Sequence, residues 1–329
     1  MKKIAVVILN WNGAQLLEQF LPSVVAYSEE AKIYVADNAS TDHSLQIIQS
    51  KFPQVTVIKN DKNYGFAQGY NVALQQVEEP YYALVNSDIE VTPNWLLPIL
   101  SLLDSEPEVG IIQPKILDFK NKEYFEYAGA AGGFIDRFGY PYCRGRIFDT
   151  VEKDNGQYND ARDIFWASGA CLFIRKSIFR ELNGFDKDFF AHQEEIDLCW
   201  RAFNLGYKAR YSPDSVVYHV GGATLNESNP KKTFLNFRNS LLMLTKNLPE
   251  KQLFPIILMR LFLDGLAGIQ FLLKGKFAHC GAIIKAHFEY YTLINKNLKK
   301  RSGKQAHNYY QSGSIVYRYF LKGGTIFAS

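Results

Sequence analysis

Cysteine is scarce and unpaired in this chain: 329 residues hold four, Cys143, Cys171, Cys199 and Cys280. They are widely spaced, with no CxxC pair and no metal-ligand spacing, which excludes a disulfide scaffold and a zinc module and predicts reduced, packing thiols. No GxGxxG turn and no Walker lysine is present, so the nicotinamide-dinucleotide and P-loop readings lose their support. The start, Met1-Lys2-Lys3-Ile4, runs straight into a strand-like segment. No secretory signal is expected from it, because an export signal has a longer apolar stretch and a cleavage site. Internal repeats and low-complexity runs are absent too. What remains is globular composition, 47% hydrophobic, 15% aromatic and 21% charged, long enough for about two domains.

The net charge of +4 hides a split. Residues 1–230 carry 21 Lys and Arg against 30 Asp and Glu, a balance of −9, whereas residues 231–329 carry 16 against 3, a balance of +13. An acidic body with a basic tail asks for an anionic partner, either nucleic acid or an anionic membrane surface. The tail's apolar runs favour the membrane, since a nucleic-acid face has no use for them.

Ile4–Leu9, Ile33–Ala36, Val55–Ile58 and Tyr81–Val85 are short apolar runs that suit strands buried on both faces. Between them Ala14–Tyr27, Asp42–Lys51 and Phe66–Val77 have helical length and spacing. Ser40-Thr41-Asp42 and Thr92-Pro93 read as helix starts. Repeated β-α-β units predict an α/β doubly wound sheet with ligands beyond the carboxyl ends of its strands. Asn10-Trp11-Asn12-Gly13, Asp37-Asn38-Ala39-Ser40 and Asn86-Ser87-Asp88 fall there and outline a polar crevice, although each alone also serves as a turn or cap. Residues 118–165 read as loops or an inserted hairpin over that crevice. Ala170–Ile174 and Val216–Tyr218 read as strands, with helices over Ser177–Leu182 and Glu195–Leu205.

Four constellations carry chemistry. Asp88, at a strand end, suits a hard divalent cation shared with pyrophosphate oxygens. The Gly65–Asn71 turn opens a helix whose N-terminal amides favour phosphate. Glu194-Glu195-Ile196-Asp197 puts three carboxylates at a helix start, either as a cap on the helix dipole or as the setting of a general base. His219, at a strand end before Gly221-Gly222, is a candidate metal ligand as a neutral imidazole joining Asp88. Leu253–Leu273 is nearly all apolar. Arg260 and Asp264 within it each cost roughly 2.5–3.5 kcal/mol at a bilayer centre, so a helical hairpin on the membrane surface is expected rather than a clean span. Packing against the body is the competing reading.

Taken in order, residues 4–222 resemble family 2 glycosyltransferases with the GT-A fold, especially the bacterial rhamnosyltransferase-like branch. The motifs are Val7-Ile8-Leu9-Asn10-Trp11-Asn12-Gly13, Val35-Ala36-Asp37-Asn38-Ala39-Ser40-Thr41-Asp42, Asn63-Tyr64-Gly65-Phe66-Ala67 with Gly69 and Asn71, and Leu84-Val85-Asn86-Ser87-Asp88. Ser168-Gly169-Ala170, Gly184-Phe185-Asp186, Glu194-Glu195-Ile196-Asp197-Leu198-Cys199-Trp200-Arg201 and His219 follow. The resemblance implies a GT-A nucleotide-diphospho-sugar transferase fold, a doubly wound mixed sheet flanked by helices. Residues 1–230 would be the catalytic domain (1–115 for the nucleotide, 116–230 for the acceptor), and 231–329 a helical, membrane-associated extension.

The resemblance also implies roles. Asp37 would accept the imide N–H of uracil or thymine. Asn10, Asn12, Asn38, Gly65, Asn71, Asn86 and Ser87 would line the donor. Asp88 would hold Mn²⁺ or Mg²⁺ on the diphosphate, with His219 as second protein contact. Glu195, with Glu194 and Asp197 beside it, occupies the base position, and either Glu194 or Glu195 does the work. Trp166, Ser168, Gly169, Trp200 and Arg201 would border the sugar and acceptor. Two departures stand out: Asn86 replaces the first Asp of the usual Asp-x-Asp motif, and Glu195 replaces the commoner Asp. The implied activity is inverting transfer from dTDP-rhamnose or a UDP-sugar to a lipid-linked or growing cell-surface glycan, at the cytoplasmic face of the membrane. Nucleic acid is not an expected partner, and the oligomeric state is open. The alternative is a non-catalytic sugar-nucleotide-binding scaffold of the same fold.

Overall fold

The computed structural model describes residues 2–221 and 229–327; Gly222, part of the expected glycine pair after His219, lies outside the described residues. The first half alternates strands and helices: β1 (Ile4–Asn10), α1 (Ala14–Ala26), β2 (Ala31–Asp37), α2 (Ser44–Lys51), β3 (Thr56–Lys59), α3 (Gly65–Ala73) and β4 (Tyr81–Asn86). Next come β5 (Ile89–Val91), α4 (Leu97–Ser105) and β6 (Val109–Asp118). Four short strands, β7 (Gly133–Ile135), β8 (Pro141–Cys143), β9 (Arg146–Ile147) and β10 (Thr150–Val151), form a separate antiparallel sheet. This sheet occupies the segment expected to be irregular. β11 (Arg162–Ile164), β12 (Cys171–Arg175), α5 (Lys176–Glu181), α6 (Glu194–Asn204) and β13 (Lys208–His219) complete the body. Four further helices follow: α7 (Pro230–Asn247), α8 (Glu250–Leu273), α9 (Phe277–Leu298) and α10 (Ile315–Lys322).

The main sheet runs β11-β13-β6-β12-β4-β1-β2-β3, with β5 also paired to β13. β1 is parallel to β2 and β4, whereas β12 is antiparallel to β4 and β6, so the sheet is mixed. β1 shows why its apolar run is continuous: Ala5 and Val7 enter one core, and Ile4, Val6 and Ile8 the other. With both faces covered, no position is left for a polar residue until Asn10 at the strand end.

Two expectations about element limits change. β13 runs from Lys208, not Val216, because a register shift between Ser212 and Val216 carries the strand past Pro213. Pro93 does not open a helix; residues 93–96 form a turn, and α4 starts at Leu97 with Pro98 in its first turn.

The basic C-terminal region divides in two. α7 is buried from Arg238 to Asn247, and its Lys246 lies 2.7 Å from Asp186 and 2.8 Å from Asp197. It is core of the body. α8 is long and apolar enough to cross a membrane by length and composition. Its Arg260 and Asp264 are buried toward the body, 3.7 Å apart, and Arg260 Nη1 donates to the Phe138 carbonyl. The opposite face is left apolar and open, with Phe254 76% and Leu273 84% exposed. Phe277 and Phe288 on α9 and Leu321 on α10 are exposed as well.

Candidate active site

Strand register brings the first crevice residues together. Asn10 pairs with Asp37 across β1 and β2. Asn10 Nδ2 donates to Asp37 Oδ1 at 3.0 Å and to Ser40 Oγ at 3.1 Å, and the Ser40 amide closes the turn onto Asp37 Oδ2 at 3.0 Å. Asn10 Oδ1 is buried without a partner, an acceptor left open. A Cβ on Gly13 would come within 2.5 Å of it, so only glycine fits there. Asn12 is exposed in the left-handed region (φ 49°) and accepts from the Thr41 amide at 2.8 Å.

Other donor candidates are committed to the frame. Asn38 Nδ2 donates to the Gly65 carbonyl at 2.9 Å, and its Oδ1 accepts from Asn60 at 2.7 Å. Asn71 does not line the crevice: its amide donates to the Phe185 carbonyl at 2.7 Å and accepts from the Phe185 amide at 2.9 Å. The α3 N-terminus is not an open phosphate cradle either. The Gly65 amide bonds Asn63 Oδ1, and the Phe66 and Ala67 amides both donate to the Phe190 carbonyl. Gly65 (φ 72°) is required because a Cβ would meet the Phe190 ring at 2.8 Å.

Asp88 and His219 form the second group. His219 Nε2 lies 3.2 Å from Asp88 Oδ1 and 3.4 Å from Asn86 Nδ2, and its Nδ1 lies 3.3 Å from Glu126 Oε1. Burial alone would lower the histidine pKa, but the Glu126 and Asp88 carboxylates push it up to about 10. These carboxylates favour imidazolium over the expected neutral imidazole, and a ring nitrogen can ligate a cation only after giving up that proton, so cation binding and protonation of His219 compete. Burial likewise works against the Asp88 carboxylate, and the His219 bond and charge outweigh it, holding its pKa below the usual value.

With the His219 proton released, Asp88 and His219 make a donor pair for a hard cation. Neighbouring ligands on an octahedral ion with bonds of about 2.1 Å stand about 3.0 Å apart, close to the 3.2 Å observed. Among the described residues no group of three or more His, Cys, Asp or Glu could hold a metal; Asp88 and His219 form a pair only.

The third group stands at the start of α6. Phe190, His192 and Gln193 are all left-handed (φ 65°, 70° and 68°), a strained run immediately before Glu194. α7 holds this run: Asn239 Nδ2 lies 3.0, 2.9 and 2.7 Å from the carbonyls of Phe189, Ala191 and His192. Arg238 adds bonds to the Asp188 and Phe189 carbonyls. Burial, reinforced by the Lys232 charge, pulls His192 down to about 4, so it is neutral.

Glu195 and Glu194 differ in exposure. Glu194 is 4% exposed, and burial followed by the neighbouring Glu195 charge raises its pKa well above the ordinary range. Glu195 is half-buried with Oε2 unpartnered, and burial, partly offset by backbone amides, pushes it up to about 7. Its side chain lies 3.7 Å from where a Cβ on Gly169 would stand. The neighbouring Ala170 carbonyl accepts from the Asn86 amide at 2.9 Å. The Gly169-Ala170 segment thus lies against Glu195 at one residue and bonds the end of β4, two residues before Asp88, at the next.

Asp197 is committed to structural contacts. It is fully buried, bonded by Arg201 at 2.8 Å, Asn247 at 2.9 Å and Lys246. Most of the expected acceptor wall is also interior. Arg201 is spent on Asp197 and on the Leu182 and Gly184 carbonyls. Trp200 is fully buried, 4.8 Å from the Tyr309 ring. Trp166 is buried and donates to the Phe134 carbonyl at 2.8 Å. Ser168 is buried and bonds the Ala128 carbonyl. Gly169 is half-buried, and a Cβ there would lie 3.7 Å from the Glu195 side chain.

Sequence reading missed Glu126, which lay in a segment without motifs. It also missed Arg238 and Asn239, because the resemblance ends before α7.

A mixed sheet with Asx- and Asp-bearing strand ends, a half-buried glutamate above them and a covering helical layer is the GT-A arrangement of nucleotide-sugar transferases. The glycosyl transferase family 2 profile matches residues 5–182, and the chain belongs to that family; it is a glycosyltransferase. That removes the non-catalytic scaffold alternative.

The chain is 25% identical over 231 residues to N-acetylglucosaminyl-diphospho-decaprenol L-rhamnosyltransferase of Mycobacterium tuberculosis, covering 66% of this chain and 75% of that one. It is 26% identical over 223 residues to rhamnosyltransferase WbbL of Escherichia coli K12, covering 66% and 83%. In fold it is similar to GalNAc-T7, solved with UDP, GalNAc and Mn²⁺, at a TM-score of 0.60 and 17% identity. That match covers 76% of this chain and about half (49%) of GalNAc-T7.

Proposed function

We propose that the enzyme moves a hexose, with inversion, from a nucleotide-diphosphate donor to a hydroxyl of a lipid-linked glycan at the cytoplasmic face of a membrane. The donor is dTDP-rhamnose or a UDP-sugar. The observation that carries this reading is Glu195, a half-buried carboxylate with an unpartnered oxygen and a pKa of about 7, set against the Gly169-Ala170 segment that bonds the end of β4. A base titrating near neutrality combines the ionised form with useful proton affinity.

In this reading Asp37, with Asn10 and Asn12, recognises the pyrimidine nucleoside. Glu195 takes the proton of the acceptor hydroxyl as its oxygen bonds to the anomeric carbon. The bond from that carbon to the diphosphate breaks on the opposite face, and the nucleoside diphosphate departs with its electron pair. Burial and the Glu195 charge disfavour the ionised form of Glu194, which keeps a second negative charge away from the base. Asp88 and His219 would hold Mn²⁺ or Mg²⁺, which when bound neutralises charge on the leaving diphosphate. Residues 1–115 serve the donor, 116–230 the acceptor, and 231–329 form the extension, whose α7 supports the catalytic loop. The names of the mycobacterial and Escherichia coli relatives support the rhamnosyl reading, and the Mn²⁺ of GalNAc-T7 supports the cation. The open apolar faces of α8, α9 and α10, on a region of net charge +13, suit an anionic bilayer that also presents the acceptor.

The test is a panel of nucleotide sugars with and without Mn²⁺, read by melting-temperature shift, followed by transfer to an N-acetylglucosaminyl-diphospho-lipid and NMR of the new linkage. Metal-dependent stabilisation by dTDP-rhamnose or a UDP-sugar, with an inverted product, is expected. A retained configuration, or stabilisation that ignores metal in both wild type and His219→Ala, contradicts the reading.

A further inference from the structure

Among the described residues no side chain bonds the Glu195 carboxylate; the groups that face it are the backbone amides of Gln193, Glu195 and Ile196. Its direction is therefore set by the backbone that opens α6. That backbone begins with Phe190, His192 and Gln193, three left-handed residues that each carry a Cβ. Such a run persists only where its neighbours over-determine it. We propose that Asn239 is a positioning residue for transfer, which aims Glu195 by holding this run from α7. The proposal rests on the reading of Glu195 as the base.

The carbonyls of Phe189, Phe190, Ala191 and His192 are consecutive, and all four are bonded from outside the loop. Asn239 Nδ2 shares its two hydrogens among the Phe189, Ala191 and His192 carbonyls. The Phe66 and Ala67 amides of α3 take the Phe190 carbonyl. Held by α3 on one side and α7 on the other, the run has no peptide left to turn. The shortest of the three Asn239 contacts, 2.7 Å, is to His192, two residues before Glu194. The next carbonyl, that of Gln193, accepts the Asp197 amide at 2.9 Å in the first turn of α6. Hydrogen bonds thus lead from α7 to the helix that carries Glu195 without a break.

Position 239 calls for an amide. The side chain is fully buried, and its Oδ1 accepts from Arg238 Nε at 3.0 Å, which turns the N–H groups toward the loop. Arg238 bonds the Asp188 and Phe189 carbonyls with one end and Glu289 of α9 with the other. An aspartate of the same shape would set acceptor against acceptor, and an apolar side chain would leave the Ala191 and His192 carbonyls without their donor. A shift of about 1 Å in a reacting group costs on the order of 10²-fold in rate, so a loop that relaxes lowers the rate without touching the donor site.

The test is a double-mutant cycle in the full chain. Enzyme preloaded with dTDP-rhamnose or a UDP-sugar and given an N-acetylglucosaminyl-diphospho-lipid is followed by single-turnover release of the nucleoside diphosphate, which counts transfer to the lipid or to water. Asn239→Ser should lower the rate at least about fivefold in the wild-type background but less than about twofold in the Glu195→Gln background. The donor-induced melting shift should match wild type. A smaller loss in the wild-type background, a loss of about twofold or more in the Glu195→Gln background, or a lost melting shift overturns the proposal and leaves the base reading standing. Where Asn239→Ser does not fold, Glu289→Gln, at a partly exposed position, takes its place in the cycle. By loosening Arg238 it should lower the rate at least about threefold with Glu195 present and less than about 1.5-fold in the Glu195→Gln background; any other pair of values overturns the proposal. If the wild type binds neither nucleotide sugar, or Glu195→Gln alone reacts within about tenfold of wild type, the reading of the site fails and this proposal falls with it.

Discussion

With Glu195 as the proposed base, its raised pKa predicts a pH dependence of transfer unusual for a carboxylate. With the group at about 7, its ionised fraction falls from about one half at pH 7 to about one tenth at pH 6. The rate constant kcat/KM should therefore drop about fivefold over that unit and about tenfold over the next. A carboxylate at its ordinary 4.5 would leave the rate nearly flat down to about pH 5.5.

The same shift has a stability counterpart. The folded-state value exceeds the unfolded one, so the group stabilises the fold below about 4.5 and loses that contribution as pH rises through 7. The gap of about 2.5 pH units corresponds to about 3 kcal/mol, and contact with solvent reduces this to about 2 kcal/mol. Glu195→Gln removes the loss. Its unfolding free energy in urea should exceed wild type by about 2 kcal/mol at pH 8 and match it at pH 5. Initial rates at fixed saturating Mn²⁺ between pH 5.5 and 8.5, paired with urea unfolding of both proteins, measure the two effects. A flat rate profile together with a Glu195→Gln variant no more stable at pH 8 than at pH 5 refutes the argument.

Three further outcomes follow from the same contacts. Glu194→Gln should keep kcat within about threefold, because burial and the Glu195 charge disfavour its ionised form and an amide replaces the neutral carboxyl; a loss of about a hundredfold would move the base to Glu194. Lys246→Met removes one cation from each of the buried Asp186 and Asp197, leaving Lys300 on the first and Arg201 on the second, and should cost about 1.5–3 kcal/mol in urea unfolding; a change under about 0.5 kcal/mol would mean this ion pair does not hold α7 to the body. Replacing Phe254, Leu258 and Phe262 with Ser should weaken sedimentation with phosphatidylglycerol vesicles at least tenfold, and raised salt should weaken wild type too. Equal binding by both proteins would take the α8 face out of the membrane contact.

What the sequence made legible was the strand-end chemistry. A fully buried strand has nowhere to put Asn10 or Asp37 except its end, so apolar runs followed by Asx residues located the crevice directly. Asn71 and the α3 amides were misread because spacing does not distinguish an amide facing a ligand from one pinning Phe185 or capped by Phe190. Asp197, Trp200 and Arg201 were misread for a topological reason. α6 is covered on a second side by α7, and Lys246 and Asn247 of that helix close over Asp197. The cover comes about 50 residues later, past the end of the recognised motifs. Arg260 and Asp264 were legible as a pair, but not their inward direction, which depends on Phe138 and His287.

The account's central claim is that Glu195 removes the proton from the incoming hydroxyl. Single-turnover transfer by Glu195→Gln, preloaded with nucleotide sugar and Mn²⁺, tests it most directly. Donor binding should match wild type while the transfer rate falls by about 10²–10⁴. Transfer within tenfold of wild type, with the donor bound equally well, would contradict it.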